Sequence, residues 1–525
     1  MACASTSVRA DELSRTDKLR VLYSNQFAFD RRGVPLITIG IAEGHREVVI
    51  ESAKALRVLP DGEDGSEVRG GRRWKIKLVR STAAKVAYYA VLARAPAAAM
   101  RSLRPLIATW KRRGARPRLI ETGTLFGVKG RVFDNRAYVL ADGPYTHDAQ
   151  ARAAAERYVK RFGLRKVAVL PQLEKRPSGR LAAKDLDGSA SVAVRDAIWF
   201  APAQRGERLS VRIGGHRVAR PYWGQIYITV DRHGRLAVVN AVPADKLLTG
   251  LVPAEIFATA PRAALRAQSV AARGDLLSKI GTRHFADPYL ICAKQHCQVY
   301  RGAGHEHPST SDAVHATKGL VLVNKHGALV KTVYSAVCGG FSENNDAVWP
   351  VKPDANLRGH IDGDDPSLAP FRAGITEHNI ERWLLGRPRT WESMSTYNRD
   401  KFRWTKLIPA RQLNRLVRKL GVGPVREIKV LARGVSGRAT RISVEGALGS
   451  KAVRGELRIR RLLGGLRSSM FIVRKRGSTF VFHGGGWGHG VGLCQTGATG
   501  MAQHGKRYRE ILRHYYPGSS LQPLY

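Results

Sequence analysis

Only one stretch in the second half of this chain repeats its apolar side chains at helical spacing over several turns. Leu265, Ser269, Ala272, Leu276 and Ile280 share a face, Pro261 suits a first turn, and Gly281 suits the position just past the end. Around it the texture is short and alternating. Residues 19–79 and 198–240 break into apolar–polar runs separated by Gly, Asp and Pro, the signature of small β-structure. Residues 427–482 read largely as strands, 314–334 as two more, 406–420 as a helix and 508–514 as a short one. The fold class expected is α+β: a mostly β region with one long central helix, and a small α+β insertion.

The insertion is residues 85–173. Tyr88-Tyr-Ala-Val-Leu leads into a helical stretch over 95–114, and Arg118-Leu-Ile-Glu-Thr follows as a strand. Arg136-Ala-Tyr-Val-Leu-Ala-Asp-Gly-Pro-Tyr then leads into a helix over 147–162, and Val167-Ala-Val-Leu-Pro closes the unit. Strand–helix–strand twice over makes a compact α+β module. The expected division is 1–84, β-rich; 85–173, the insertion; and 190–525, the rest, after a polar basic connection. At 525 residues the chain is too long for one core.

No apolar run reaches the roughly 20 residues that span a bilayer; Arg94 interrupts the most apolar stretch. Lys and Arg number 88 against 42 Asp and Glu, a formal charge of +46. A field of that size attracts polyanions: nucleic acid, anionic membrane or anionic wall polymer. An arginine-rich composition without a specific partner explains it equally well. Nucleic acid is the weakest of these, because the basic residues are spread throughout and no binding module is recognisable. Met1-Ala2-Cys3-Ala4-Ser5 has neither a basic start nor an apolar core, so no signal segment is visible. Cys3 before small residues resembles the start of a mature lipoprotein; an incidental cysteine is the other reading.

Five cysteines are too few for a disulfide scaffold, so their clustering matters more. His284, Cys292, His296 and Cys297 form the one dense ligand group. Thiolates with imidazoles suit a tetrahedral structural zinc, and a Cys292–Cys297 disulfide competes in an oxidising compartment. Residues 484–500 are glycine-rich, but no phosphate-loop frame is present, and no organic cofactor is expected. Glu255, taken alone, is an ordinary carboxylate ahead of a helix.

Several segments change that reading by arriving together and in order. They are Leu247-Leu-Thr-Gly-Leu-Val-Pro-Ala-Glu-Ile-Phe; Cys292 with His296-Cys297-Gln-Val-Tyr; Tyr334-Ser-Ala-Val-Cys-Gly-Gly-Phe-Ser-Glu; Leu466-Arg-Ser-Ser-Met-Phe; Gly488-His-Gly-Val-Gly-Leu-Cys-Gln-Thr-Gly-Ala; and His514-Tyr-Tyr-Pro-Gly. Together they resemble the stage II sporulation protein D and amidase-enhancer family, from about Tyr222 to the end. The 85–173 insertion resembles, in element order alone, a SPOR domain that binds peptide-stripped glycan strands.

The resemblance implies a peptidoglycan lytic transglycosylase, a carbon–oxygen lyase, with Glu255 as general acid and then base. Val252, Pro253, Ile256 and Phe257 supply an apolar surround in sequence that would keep the acid protonated. The resemblance further implies Arg273 lining the cleft, with Tyr334, Ser335, Glu343, His489 and Gln495 toward the sugar. It also implies zinc at His284, Cys292, His296 and Cys297. Departures are Val242-Pro-Ala-Asp-Lys-Leu-Leu in place of an acidic motif, Tyr334 in place of His, and Thr496 in place of Tyr. Cys338 and Cys494 both replace small hydroxyl residues, so a Cys338–Cys494 disulfide is expected. The implied partners are glycan strands and an N-acetylmuramoyl-L-alanine amidase, and the implied place is the cell envelope, after export. The alternative is a non-catalytic amidase enhancer or wall-binding scaffold of the same fold.

Overall fold

The computed structural model describes residues 22–23, 28–29, 33–60, 66–128, 131–164, 166–204, 206–213 and 219–525. Cys3, and the question of its lipidation, lies outside them. The chain gathers into two compact units: Met1–Glu255 with Leu276–Leu320 and Pro523–Tyr525, and Ile256–Asp275 with Val321–Gln522. This differs from the expected division, because the strands after the insertion return to those before it.

In the first unit two antiparallel sheets share the 28–82 and 178–243 strands. One runs Ala28–Phe29, Pro35–His45, Leu236–Pro243, Gln225–Val230, Ala197–Pro202, Leu56–Leu59, Val68–Gly70, with Ile291–Cys292 parallel to Pro35–His45. The other runs Ser191–Arg195, Ser178–Asp185, Arg73–Thr82, Glu47–Ser52, Leu209–Ile213, Arg220–Tyr222. Alternation places Ile37, Ile39, Ile226, Ile228, Val48, Ile50 and Ile76 inside. Trp74 of one sheet meets Phe200 of the other at 6.4 Å between ring centres, which ties the sheets together.

Residues 85–173 contain four antiparallel strands, in the expected element order. Their order is Val169–Lys175, Lys85–Pro96, Ala137–Tyr145, Pro117–Thr122, with a Leu125–Val128/Arg131–Asp134 hairpin added. The first helical stretch is 3-10 over Ala97–Leu103 before it becomes α over Arg104–Arg112. Trp110, Tyr158, Ala154 and Ala155 cover one sheet face. Tyr89, Ile120, Val139 and Leu170 are buried on the other, under Phe285. Buried apolar residues thus lie on both faces of this sheet.

The module is docked through two glycines. Gly281 turns the chain with φ +70° after the helix Arg262–Lys279, and its carbonyl accepts the Gly123 N–H at 2.7 Å. A methyl group on Gly281 would sit 2.8 Å from the Gly123 carbonyl carbon. Gly163 has nearly the same φ, +69°, but open space around it. Each left-handed alanine costs about 1–2 kcal/mol. Gly281→Ala is therefore expected to lower the urea midpoint clearly more than Gly163→Ala; equal shifts would remove the docking contact as its cause.

In the second unit Arg403–Pro409, Thr479–Gly485 and Phe471–Arg476 form one sheet, and Val425–Arg433, Ala439–Gly446 and Gly449–Arg454 another. Their shared core includes Trp404, Ile408, Ile428, Ile442, Phe471, Phe480 and Phe482. The helix expected from 406 begins only at Ala410. Lys406–Ile408 pair instead with Phe480–Phe482, and Pro409 separates strand from helix. Helix is also not confined to one element. Besides Arg262–Lys279 there are Asp148–Phe162, Ala244–Glu255 and a series of short helices between 308 and 515. In Arg262–Lys279 the expected stripe is buried, but so are Ala267, Gln268, Val270, Ala271 and Arg273. The helix is enclosed well beyond one face.

Candidate functional site

Glu255 is the last residue of the helix Ala244–Glu255 and is half-buried. Leu247, Leu248, Leu251 and Val252 anchor that helix in the core, and Pro253 falls in its last turn. Of the expected apolar surround, Val252 and Ile256 are buried, whereas Phe257 is 52% exposed. Arg273, which the resemblance placed along the cleft, is fully buried, at 0% exposure. It cannot present its guanidinium to a solvent-borne strand, so any part it has is in positioning.

In the second unit the glycine-rich loop is fastened to the Tyr334 segment. Tyr334–Ser335 pairs in parallel with Leu493–Cys494, and Val337 and Trp487 exchange backbone hydrogen bonds at 3.1 and 2.8 Å. This brings Tyr334, Ser335, His489 and Gln495 onto adjoining segments. Tyr334 and His489 are half-buried, and His489 lies 4.9 Å from the Trp349 ring. Its Nδ1 accepts the Val491 N–H at 3.0 Å, which leaves the neutral ring's proton on Nε2. Gln495 is nearly enclosed and donates to Gln268 of the long helix at 3.2 Å.

Glu343 is not a sugar ligand in this arrangement. It is 1% exposed, and its carboxylate accepts from Ser436 Oγ at 2.6 Å and from the Val435 and Asn344 N–H groups. Burial raises its pKa above the ordinary carboxylate value. A motif position suggested contact with substrate; the side chain is instead spent on closing the Gly434–Ser436 turn.

An exposed aromatic stripe was not anticipated. Trp487 is 42% exposed, with Lys401 Nζ 5.0 Å and Arg467 Cζ 5.7 Å from its ring. Phe257 stacks on Tyr397 at 5.7 Å, and Lys401 reaches it too, at 6.0 Å. Phe257 lies inside one of the family-like segments and Trp487 immediately before another, within the glycine-rich stretch, but only their exposure distinguishes a platform from a core residue.

The ligand cluster of the first unit is assembled as expected. One atom each from His284, Cys292, His296 and Cys297 lies within 4.8 Å of the others. His284 Nε2 is 3.2 Å from Cys297 Sγ, and His296 Nδ1 is 3.7 and 3.6 Å from the two sulfurs. A tetrahedral zinc with ordinary bond lengths needs S···N edges of about 3.6 Å. Asp287 holds the other ring nitrogen of His284 at 2.8 Å, the outer-shell carboxylate common behind metal-bound imidazoles. Burial would lower the His284 pKa, but hydrogen bonds to Asp287 and Cys292 push it up to about 9. The hydrogen bond from Cys297 holds Cys292 well below a normal thiol. Cys292 and Cys297 are free thiols in this arrangement.

Cys338 and Cys494 are likewise free thiols, not the expected disulfide. Cys494 Sγ accepts the Cys338 N–H at 3.2 Å, while Cys338 Sγ turns to Glu392 at 2.9 Å.

Residues 232–324 match the family described as stage II sporulation protein, and residues 343–492 match a domain of unknown function (DUF8618). An uncharacterized protein of Brachyspira hyodysenteriae is 28% identical over 300 residues, 57% of this chain and 71% of that protein. The amidase enhancer of Bacillus subtilis is 26% identical over 292 residues, 52% of this chain and 40% of the relative. Stage II sporulation protein D of Bacillus subtilis is 25% identical over 314 residues, 56% of this chain and 79% of the relative.

Proposed function

We propose that this chain, which carries a stage II sporulation protein domain, cuts peptidoglycan glycan strands as a lytic transglycosylase. The observation that carries the reading is that Glu255, accessible at the end of a core-anchored helix, lies inside the matched residues 232–324. The carboxylic acid donates its proton to the glycosidic oxygen, and the bond from that oxygen to the muramyl C1 breaks. The sugar's own 6-hydroxyl then closes on C1 and returns its proton to the carboxylate. A 1,6-anhydro ring forms with no water and no second carboxylate, unlike hydrolysis.

The exposed Trp487 ring beside Lys401 and Arg467 suits such a polymer. The C–H face of a sugar stacks on the negative aromatic face, while the cations meet acidic groups of the wall. Trp487→Ala is expected to weaken binding of purified strands by roughly 2- to 10-fold, with an unchanged melting temperature. Unaltered affinity in a sedimentation assay would remove the platform from the site. The export and envelope setting, and an amidase as partner, belong to the same reading. Among the described residues no helix is long and apolar enough to cross a membrane.

The second reading is a non-catalytic enhancer, favoured by the relative that bears that name and by a platform able to bind without cutting. Incubation with peptide-free strands separates the two. New 1,6-anhydromuramyl ends support the enzyme; binding without new ends leaves the enhancer; reducing ends mean hydrolysis instead.

Zinc at His284, Cys292, His296 and Cys297 completes the reading as a structural brace. A chelator is expected to lower the melting temperature and to open Cys292 and Cys297 to alkylation. Thiols that stay blocked until a reductant is added would establish the disulfide instead.

A further inference from the structure

We infer that the second unit holds a second structural metal site, of the zinc class, built from Cys338, Asp362, Glu392 and Cys494. One ligand atom from each lies within 4.8 Å of the others. All four residues are enclosed, at 0, 0, 1 and 0% exposure respectively. Cys338 Sγ is 2.9 Å from Glu392 Oε2 and 3.5 Å from Asp362 Oδ2, and Cys494 Sγ is 3.7 Å from the same Glu392 oxygen. The S···O edge of a tetrahedral zinc site is about 3.5 Å.

The surroundings orient these groups as ligands. Tyr515 and His514 both hold Asp362 Oδ1, at 2.7 and 3.3 Å, which leaves Oδ2 turned to the thiols. Glu392 Oε2 accepts the Gly340 N–H at 2.9 Å, while its buried Oε1 makes no hydrogen bond. Cys494 caps the helix Gln495–Gln503, and its sulfur accepts the Gly497 and Cys338 N–H groups, each at 3.2 Å.

Charge balance argues the same way. Two carboxylates and two thiols are enclosed together, and among the described residues no Lys or Arg pairs with either carboxylate. The nearby Arg403 gives its donors to the carbonyls of Gly339, Trp383, Leu384 and Phe402. Arg403 still acts on Glu392 as a single nearby positive charge, and burying the remaining ionised groups without a further counter-charge costs several kcal/mol per ion. A divalent cation offsets that cost. A Cys338–Cys494 disulfide would not: it would leave both carboxylates against a neutral bond. Four enclosed ligands leave no open position, so the ion would brace rather than catalyse. It would pin the start of the Gln495–Gln503 helix to the Cys338–Gly340 turn.

The full chain is purified with Cys3→Ser, Cys292→Ser and Cys297→Ser, so that Cys338 and Cys494 are its only cysteines. Loaded with cobalt, it is expected to bind one equivalent with thiolate charge-transfer absorption, and to lose it on Glu392→Gln. No thiolate-bound cobalt in the three-serine chain would overturn the site. The wild-type chain guards against a variant that fails to fold. Mapping its cysteines after alkylation in denaturant with chelator is expected to show Cys338 and Cys494 alkylated. A Cys338–Cys494 peptide pair surviving without reductant would overturn the metal in favour of the disulfide. Elemental analysis of the wild-type chain is expected to lose one zinc per chain on Cys338→Ser/Cys494→Ser; an unchanged content would also overturn the site.

Discussion

Glu255→Gln is expected to suppress the release of 1,6-anhydromuramyl ends from peptide-free strands by about 10²–10⁴-fold while strand binding persists. That is the range contributed by a positioned acid–base group, and here one carboxyl serves both proton transfers. Glutamine keeps the shape and the hydrogen-bonding capacity but can neither give nor take the proton. The readout is mass analysis of the products with time, beside a pull-down on the same strands. Ends forming at the wild-type rate would sink the assignment of Glu255. Loss of binding together with loss of cutting would point to a damaged fold, and the melting temperature of the half-buried variant distinguishes that case. Arg273 gives a less direct test. Its full burial means that its replacement disturbs packing as well as any positioning of the site.

What could be read ahead of the structure depended on how local the signal was. The Arg262–Lys279 helix announced itself through Pro261, Gly281 and a repeating stripe, all within 21 residues of chain. The insertion was legible because its strands and helices alternate in order. The Ala244–Glu255 helix was not, since Pro253 reads as a breaker and its position in the last turn becomes clear only with the fold. Lys406–Ile408 looked helical until Phe480–Phe482 supplied a partner strand more than seventy residues away. The same limit applies to the sites. His284, Cys292, His296 and Cys297 lie close enough in sequence to be seen as ligands. Asp362 and Glu392 are unremarkable carboxylates until the fold sets them beside Cys338 and Cys494. Glu343 shows the converse: its motif placed it near the sugar, and only the Ser436 turn reveals that it faces inward.

That inward carboxylate leads to the largest expected stability effect. Arg438 is fully buried, and its Nη1 donates to Ser436 Oγ at 2.9 Å, which in turn donates to Glu343 Oε2 at 2.6 Å. Its Nη2 holds the Cys338 carbonyl at 2.9 Å, and a methyl group on Gly490 would overlap the guanidinium. One cation thus links the Cys338 turn, the Ser436 turn and the glycine-rich loop, and its charge lowers the cost of burying Glu343. Arg438→Met keeps the volume but strands the carboxylate, and removing one member of a buried charged pair costs about 3–5 kcal/mol. The urea midpoint of the second unit should fall accordingly. Glu343→Gln added to Arg438→Met removes the stranded charge, so the double variant should recover part of the loss rather than add to it. Glu343→Gln alone should bind strands like wild type wherever it is folded. A strictly additive double variant would deny the coupling, and selective loss of strand binding would return Glu343 to the sugar site.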